Sequence, residues 1–414
     1  MSKPRSKHMI KGSKHMIEGK WDNAWEPVVE AFTRNFTEMG EQGAALAIYR
    51  FGEPVVNIWA GVRDNQGAGV TGQPWQEDTC VNIFSVGKAL VALCVLQLAE
   101  RGSLVLDKPV ADYWPEFAQE NKGDITIRQV MCHRTGLSAF RGLLEYEDIF
   151  DWQKMVDEIA ALKPWWEPGT AQGYSPFIYG WILGELIKRA SGCASFDDYF
   201  QREVAQPLGI RCRFGVPPEQ QVHLADTAPL KNPNGLVINS HGADSLALGK
   251  IMKADPRGVT NRAFGNPVSF MTATNSPAWR QAQIPAANGH TNAVALARIF
   301  GALANEGRLD DVELLSPAQR QLCSQELSAE DDRVLGLRLR FGHGFMLPQD
   351  RPDCRFGRGA TAFGHPGSGG SLGFADPDYG LGFGYVTSRM GQSLLIDHRA
   401  IRLIDAAYQH VINA

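Results

Sequence analysis

The sequence predicts an α+β fold, an antiparallel sheet flanked by helices with a mainly helical insertion. Three observations predict it. An amphipathic helix and a hairpin open the chain after residue 20, helices fill the middle, and turn-bounded apolar strands return after residue 337 ahead of a last helix. Sheet elements at both ends imply a discontinuous sheet domain over residues 21–80 and 330–414, interrupted by a helical segment over 81–329.

Each element has a sequence reason. Trp25, Val28, Val29, Phe32, Phe36 and Met39 share one face at helical spacing, and Gly40 ends that helix. Ala44–Tyr49 and Val55–Val62 read as strands joined by the turn residues Phe51-Gly52-Glu53-Pro54. Lys88–Glu100 is a compact apolar helix with Gly102 just beyond it. Thr126 and Gln129 have capping-box spacing and should open a short helix ending near His133. Tyr179–Ala190 and Ala293–Asn305 read as helices, closed by Ser191-Gly192 and Glu306-Gly307. Residues 212–290 are rich in Pro, Gly and Asn and read as loops, with one helix near Ala243–Lys253. Arg338–Phe345, Gly370–Ala375 and Leu381–Ser388 read as strands, the last two joined through Asp376-Pro377-Asp378. A final helix is expected from Ser393 to about Val411, with Leu394, Ile401, Ile404 and Tyr408 on one face.

Residues 1–20 stand apart. They are basic, lack the apolar stretch of a secretory signal, and repeat Ser-Lys-His-Met-Ile at 6–10 and 13–17. This reads as an artefactual or disordered tail outside the fold; the competing idea is a basic tail that binds something.

Composition sets the class of function. Among 414 residues, 45 acidic against 41 basic side chains leave a net charge of −4. With no basic excess to neutralise phosphates, nucleic acid is excluded as a general partner. The longest clean apolar run, Ala89–Leu96, is far short of the roughly 20 residues a spanning helix needs. Seven cysteines, Cys80, Cys94, Cys132, Cys193, Cys212, Cys323 and Cys354, include no Cys-x-x-Cys pair. They read as core residues in a reduced, cytoplasmic setting. No histidine pair has metal-ligand spacing on one helix, so neither a metal nor another cofactor is expected.

Chemistry concentrates in a few segments. Ser85-Val86-Gly87-Lys88 opens the apolar helix, and residues three apart share a helix face, so Ser85 Oγ and Lys88 Nζ can meet. The helix N-terminus favours negative charge near Ser85, and burial in an apolar helix lowers the basicity of a lysine towards a useful range. Alone, the pair reads more readily as a cap serine and a snorkelling lysine. Tyr174 follows the Trp166-Glu167-Pro168-Gly169 turn and could share a proton with that pair. Gly364-His365-Pro366-Gly367-Ser368-Gly369-Gly370 precedes a strand, and a backbone N–H near Ser368 could stabilise an oxyanion. His133-Arg134-Thr135-Gly136-Leu137 reads as a structural turn. Trp165, Trp166 and Phe363 are candidates to line an apolar acyl pocket, against the plainer reading of core aromatics. Gly369-Gly370-Ser371-Leu372-Gly373 fits the nucleophile-elbow pattern, but that motif needs a strand–turn–helix setting and this segment runs into a strand.

Taken together and in order, these segments resemble the serine β-lactamase, or penicillin-recognising, superfamily. Within it the match is to the family VIII carboxylesterases that resemble class C β-lactamases. The resemblance spans roughly residues 25–410 and includes Asn288-Gly289 ahead of a helix. It implies a β-lactamase/transpeptidase-like fold and a serine hydrolase working through an acyl-enzyme. Ser85 would be the nucleophile, activated by Lys88 and Tyr174; the backbone amides of Ser85 and Ser368 would form the oxyanion hole. His365, Gly367, Trp166 and Phe363 would meet the substrate. Two departures from the family pattern point to short-chain carboxylic esters rather than β-lactams. The usual lysine of the third motif is His365, and the usual Tyr-x-Asn reads Tyr174-Ser175-Pro176. A β-lactamase, or a peptidase or amidase acting on D-amino-acid substrates, would use the same residues, and an inactive scaffold would keep the same fold. The expected partner is a small ester.

Overall fold

A computed structural model describes residues 5–9, 16–64, 72–228, 243–267, 273–351, 354–391, 393 and 395–413. Its centre is a seven-stranded antiparallel sheet of β1 (Arg5–Met9), β2 (Met16–Trp21), β3 (Gly43–Arg50), β4 (Glu53–Gly61), β5 (Phe363–Pro366), β6 (Leu372–Asp376) and β7 (Leu381–Thr387). The strand order is β1-β2-β4-β3-β7-β6-β5, so the two ends of the chain meet where β3 pairs with β7. The β6–β7 hairpin turns through Pro377–Tyr379 and Gly380, as the Asp-Pro-Asp segment predicted.

Alternation along β3 explains the layers. Ala45, Ala47 and Tyr49 enter one core, Ala44, Leu46 and Ile48 the other, so both faces of the sheet are covered. Helices α1 (Glu26–Glu38) and α7 (His398–Asn413) pack together on the second face. The first face carries α6 (Ala293–Ala304), which lies on β3, β6 and β7. Gly382 permits this approach: a Cβ there would meet the Gly301 backbone nitrogen at 2.2 Å. A helix expected within the inserted segment is thus part of the sheet layers, a long-range contact that helical periodicity cannot reveal.

The remaining helices include α2 (Val86–Glu100), α3 (Ile127–Met131), α4 (Trp152–Ala161) and α5 (Ile178–Ser191). The Thr126–Gln129 capping box forms in full, and Gly192 closes α5 in the left-handed conformation. Every residue of α2 from Val86 to Leu98 is buried, as befits a helix apolar on all sides. It packs against α5 and reaches β5.

Several expectations need correction. The first twenty residues are not outside the fold: residues 5–9 and 16–20 lie in β1 and β2. Within β2 the inward positions Ile17 and Trp21 are fully buried, a two-residue alternation that the basic, repetitive character of the segment hid. The expected Arg338–Phe345 strand ends at Phe341 and pairs with Ser328–Asp331 in a separate hairpin. Helix α7 begins at His398, not Ser393, because the Asp397 carboxylate accepts the Arg399 amide at 2.9 Å and caps the first turn; Leu394 lies outside the described residues. The 212–290 stretch contains Ala243–Ala254 as expected, and also short helices over Val259–Gly265 and Pro277–Gln281.

Candidate active site

Ser85 is the N-cap of α2 and is half-buried, whereas Lys88, one turn on, is wholly buried. The residue before the serine, Phe84, has φ of 48°, a left-handed conformation strained for an aromatic residue. Lys88 Nζ lies 3.1 Å from Ser85 Oγ and donates to the carbonyls of Pro176 at 2.7 Å and Ala286 at 3.1 Å. Burial pulls the Lys88 ammonium well below the usual lysine range, which favours the neutral amine.

The Ala286 carbonyl belongs to a turn locked by Asn288. Its side chain donates to the Trp279 and Ala282 carbonyls and accepts the Ile284 amide. Pro176 stands where the family pattern has an asparagine, and its main chain supplies an acceptor that needs no side-chain amide.

Tyr174 completes the cluster. Its phenol hydrogen-bonds Ser85, and Lys88 Nζ sits 4.9 Å from its ring centroid. Burial pushes the phenol upward despite the Ser85 bond, so at neutral pH it keeps its proton. The Tyr174 backbone is held by a residue that sequence reasoning missed. Asp332 accepts the Tyr174 amide at 2.7 Å, Gln172 Nε2 at 3.2 Å, and the Val334 and Leu335 amides at 2.9 Å each. His133, expected to be only a turn residue, packs at a tilt against Tyr174 with ring centroids 4.8 Å apart and accepts the Ser175 amide on Nδ1.

His365 is buried on β5, with its ring centroid 6.2 Å from that of Tyr174. Burial, then the charge of Lys88, lowers its pKa to about 3, so its ring is neutral. Nδ1 bonds the Pro366 carbonyl at 2.7 Å, which leaves Nε2 without a hydrogen-bond partner. Gly367 passes so close to the segment before Ser85 that a Cβ would meet the Ile83 carbonyl oxygen at 2.3 Å. The Ser85 and Ser368 amides both lack a backbone acceptor among the described residues.

Two expected substrate contacts are not brought to this cluster. Phe363 is fully buried in the core, edge to face with Phe345 at 5.0 Å. Trp166 packs under the backbone of Gly173, with its indole N–H on the Ala171 carbonyl. It lines a cavity of about 700 Å³ with Gln129, Arg141 and Trp165, and that lining includes neither Ser85 nor Tyr174. Ser371 is buried at the start of β6, in antiparallel sheet with no helix following, so the elbow pattern lacks its setting. Among the described residues no group of three metal-ligating side chains occurs, and no helix is long and apolar enough to cross a membrane.

A family profile described as Beta-lactamase matches residues 32–406, a span that contains all of these residues. The chain belongs to the beta-lactamase family. Its relatives in this serine hydrolase family include the esterase/beta-lactamase LipL of Mycobacterium tuberculosis, 32% identical and covering 92% of this chain and 85% of LipL. Esterase EstB of Burkholderia gladioli is 31% identical over 49% of this chain and 56% of its own. Among solved structures, a family VIII carboxylesterase superposes with a TM-score of 0.84 at 34% identity, covering 95% of this chain and 99% of the other. A penicillin-binding protein homologue from Caulobacter crescentus gives 0.81 at 34% identity, with the same coverage. The β-lactamase/transpeptidase-like fold read from the sequence is therefore the fold of this family.

Proposed function

We propose that this beta-lactamase-family chain is a carboxylic ester hydrolase acting through an acyl-enzyme on Ser85. The observation that carries the proposal is a buried lysine, with no carboxylate partner among the described residues, 3.1 Å from the Ser85 hydroxyl. Neutral Lys88 takes the proton as Ser85 Oγ bonds to the ester carbonyl carbon. Negative charge develops on the carbonyl oxygen, for which the Ser85 and Ser368 amides are donors without backbone acceptors among the described residues. Lys88, through the Tyr174 phenol, returns the proton to the departing alkoxide. Water then adds to the acyl carbonyl, gives its proton to the same relay, and Ser85 leaves as the acid is released. Lys88 rather than Tyr174 is the acylation base: burial makes the lysine easier to deprotonate and the tyrosine harder.

Two features support an ester over a charged lactam. His365 offers no positive charge to a substrate carboxylate, and Pro176 offers no amide to an acylamino group. The names of LipL, EstB and the family VIII carboxylesterase support the same choice. The double name of LipL favours lactam hydrolysis as a second reading for the same residues.

A fluorophosphonate probe tests the nucleophile: labelling is expected at Ser85, lost in Ser85→Ala and retained in Ser371→Ala. Absence of labelling in the parent protein would favour an inactive scaffold. Short-chain p-nitrophenyl esters should be turned over well ahead of a chromogenic cephalosporin, and the opposite ranking would overturn the ester reading.

A further inference from the structure

Arg399, in the first turn of α7, is buried with all five of its N–H donors matched to acceptors. Nε donates to Asp397 Oδ1 at 2.8 Å. One terminal nitrogen donates to Glu41 Oε2 at 2.8 Å and Thr387 Oγ1 at 3.1 Å. The other donates to two carbonyls, Arg389 and Gly369, at 2.8 Å each. Glu41 is itself fixed by the Tyr385 hydroxyl at 2.7 Å and the Thr387 hydroxyl at 2.8 Å. A guanidinium so enclosed has no donor left for a substrate; its planar fork instead ties α7, β7 and the segment before β3 to one carbonyl in the loop after His365.

That carbonyl belongs to a glycine-rich turn. Its base is closed by the Gly367 amide on the Ser371 carbonyl at 2.6 Å, and its tip by one longer bond, Gly370 amide to Gly367 carbonyl at 3.2 Å. Gly369 and Gly370 have φ of +88° and +129°, a region where glycine moves freely. Ser368 is the first inner residue of this turn. The direction of its N–H depends on how the Gly369 peptide is held, and among the described residues Arg399 shares that carbonyl only with the Gly391 amide at 2.8 Å.

We propose that Arg399 is a positioning residue that aims the Ser368 amide at the developing oxyanion. The inference rests on the roles proposed above for Ser85 and Ser368. A lysine at position 399 would keep the charge opposite Glu41 and Asp397 but could not span five acceptors.

The test compares Arg399→Lys with the parent protein on a p-nitrophenyl ester and on an alkylboronic acid, which forms a tetrahedral adduct with an active serine. We expect kcat to fall about tenfold or more with little change in KM, since removing an oxyanion donor outright costs roughly 10²–10³. Boronate affinity should fall by a similar factor, while the acid limb of the pH profile stays in place because Lys88 is untouched. Arg402→Gln, on the same helix, breaks the partly exposed Arg402–Glu38 pair to α1 and should leave kcat alone, which separates positioning from helix stability. If Arg399→Lys does not fold, Arg399→Ala refolded with millimolar guanidinium should regain kcat as the ion fills the vacated site. A folded Arg399→Lys with parental kcat and boronate affinity overturns the proposal, as does rescue of the fold without rescue of kcat. Failure of the parent protein to label at Ser85 would instead sink the underlying functional reading, and this inference with it.

Discussion

Lys88 Nζ stands 3.1 Å from Ser85 Oγ, and its other two contacts are the carbonyl oxygens of Pro176 and Ala286. The chemistry follows from counting. A neutral amine has two N–H bonds and one lone pair, and a carbonyl can only accept. The two carbonyls therefore take the two N–H bonds, and the lone pair is left facing the serine hydroxyl. The same arrangement stabilises the ammonium once the proton arrives, because all three donors then have acceptors.

The first prediction concerns pH. Below its pKa Lys88 is protonated and cannot accept the serine proton, so kcat/KM should rise with pH as Lys88 deprotonates. Burial has moved that titration well below the ordinary lysine range, so the rise should be complete far earlier than for an exposed lysine. Lys88→Arg, always protonated, should lose about 10³-fold or more in kcat/KM at pH 7. A pH–rate profile of both proteins measures this, and an arginine variant with comparable activity would falsify the base assignment.

Tyr174→Phe removes the hydroxyl that bonds Ser85 but leaves the ring against Lys88 and His133. Loss of a proton relay should cost about 10²–10⁴ in kcat without moving the acid limb, which belongs to Lys88. A displaced acid limb would instead make Tyr174 the base. Absorbance at 295 nm should show no tyrosinate from this residue near neutral pH, because burial holds its phenol protonated.

Substrate choice should respond to His365. Its neutral ring is buried beside Tyr174, and His365→Lys would introduce a cation where none is present. The expected outcome is a shift in relative kcat/KM towards substrates with a carboxylate, such as a cephalosporin. A second positive charge near Lys88 should also move the acid limb lower. An unchanged ester-to-cephalosporin ratio would remove His365 from the account of specificity.

Asp332 gives a prediction on stability. Its two carboxylate oxygens accept four N–H groups from residues 172, 174, 334 and 335 in a fully buried site. In either orientation an asparagine would aim an NH₂ group at two N–H donors. Asp332→Asn should cost about 2–4 kcal/mol, by the usual worth of buried hydrogen bonds to a charged acceptor. Urea denaturation reads this directly, and kcat should fall as well, because Tyr174 loses its backbone anchor.

Local signals were legible wherever a short stretch decides its own structure. The Thr126–Gln129 capping box, the glycine ends of α2 and α5, and the β6–β7 hairpin all formed where residue type and spacing placed them. The Ser85–Lys88 pair was equally legible, because a three-residue offset on a helix fixes a shared face whatever surrounds it. Strand β2 escaped notice because its alternation covers only six residues inside a repetitive basic segment.

By itself, the sequence determined the class of fold and the identity of the chemical groups, since helical and strand periods and reactive residue types are properties of neighbours. Tertiary structure decided what makes those groups work. Pro176 and Ala286 lie 88 and 198 residues from Lys88, yet their carbonyls set which way its lone pair points. Asp332 lies 158 residues beyond Tyr174 and fixes its main chain. Phe363 and His365 lie on one short strand, but one packs into the core and the other reaches the cluster. Such outcomes depend on which surfaces the folded chain brings together and deprives of water, and residues distant in sequence carry no periodic signal of that meeting.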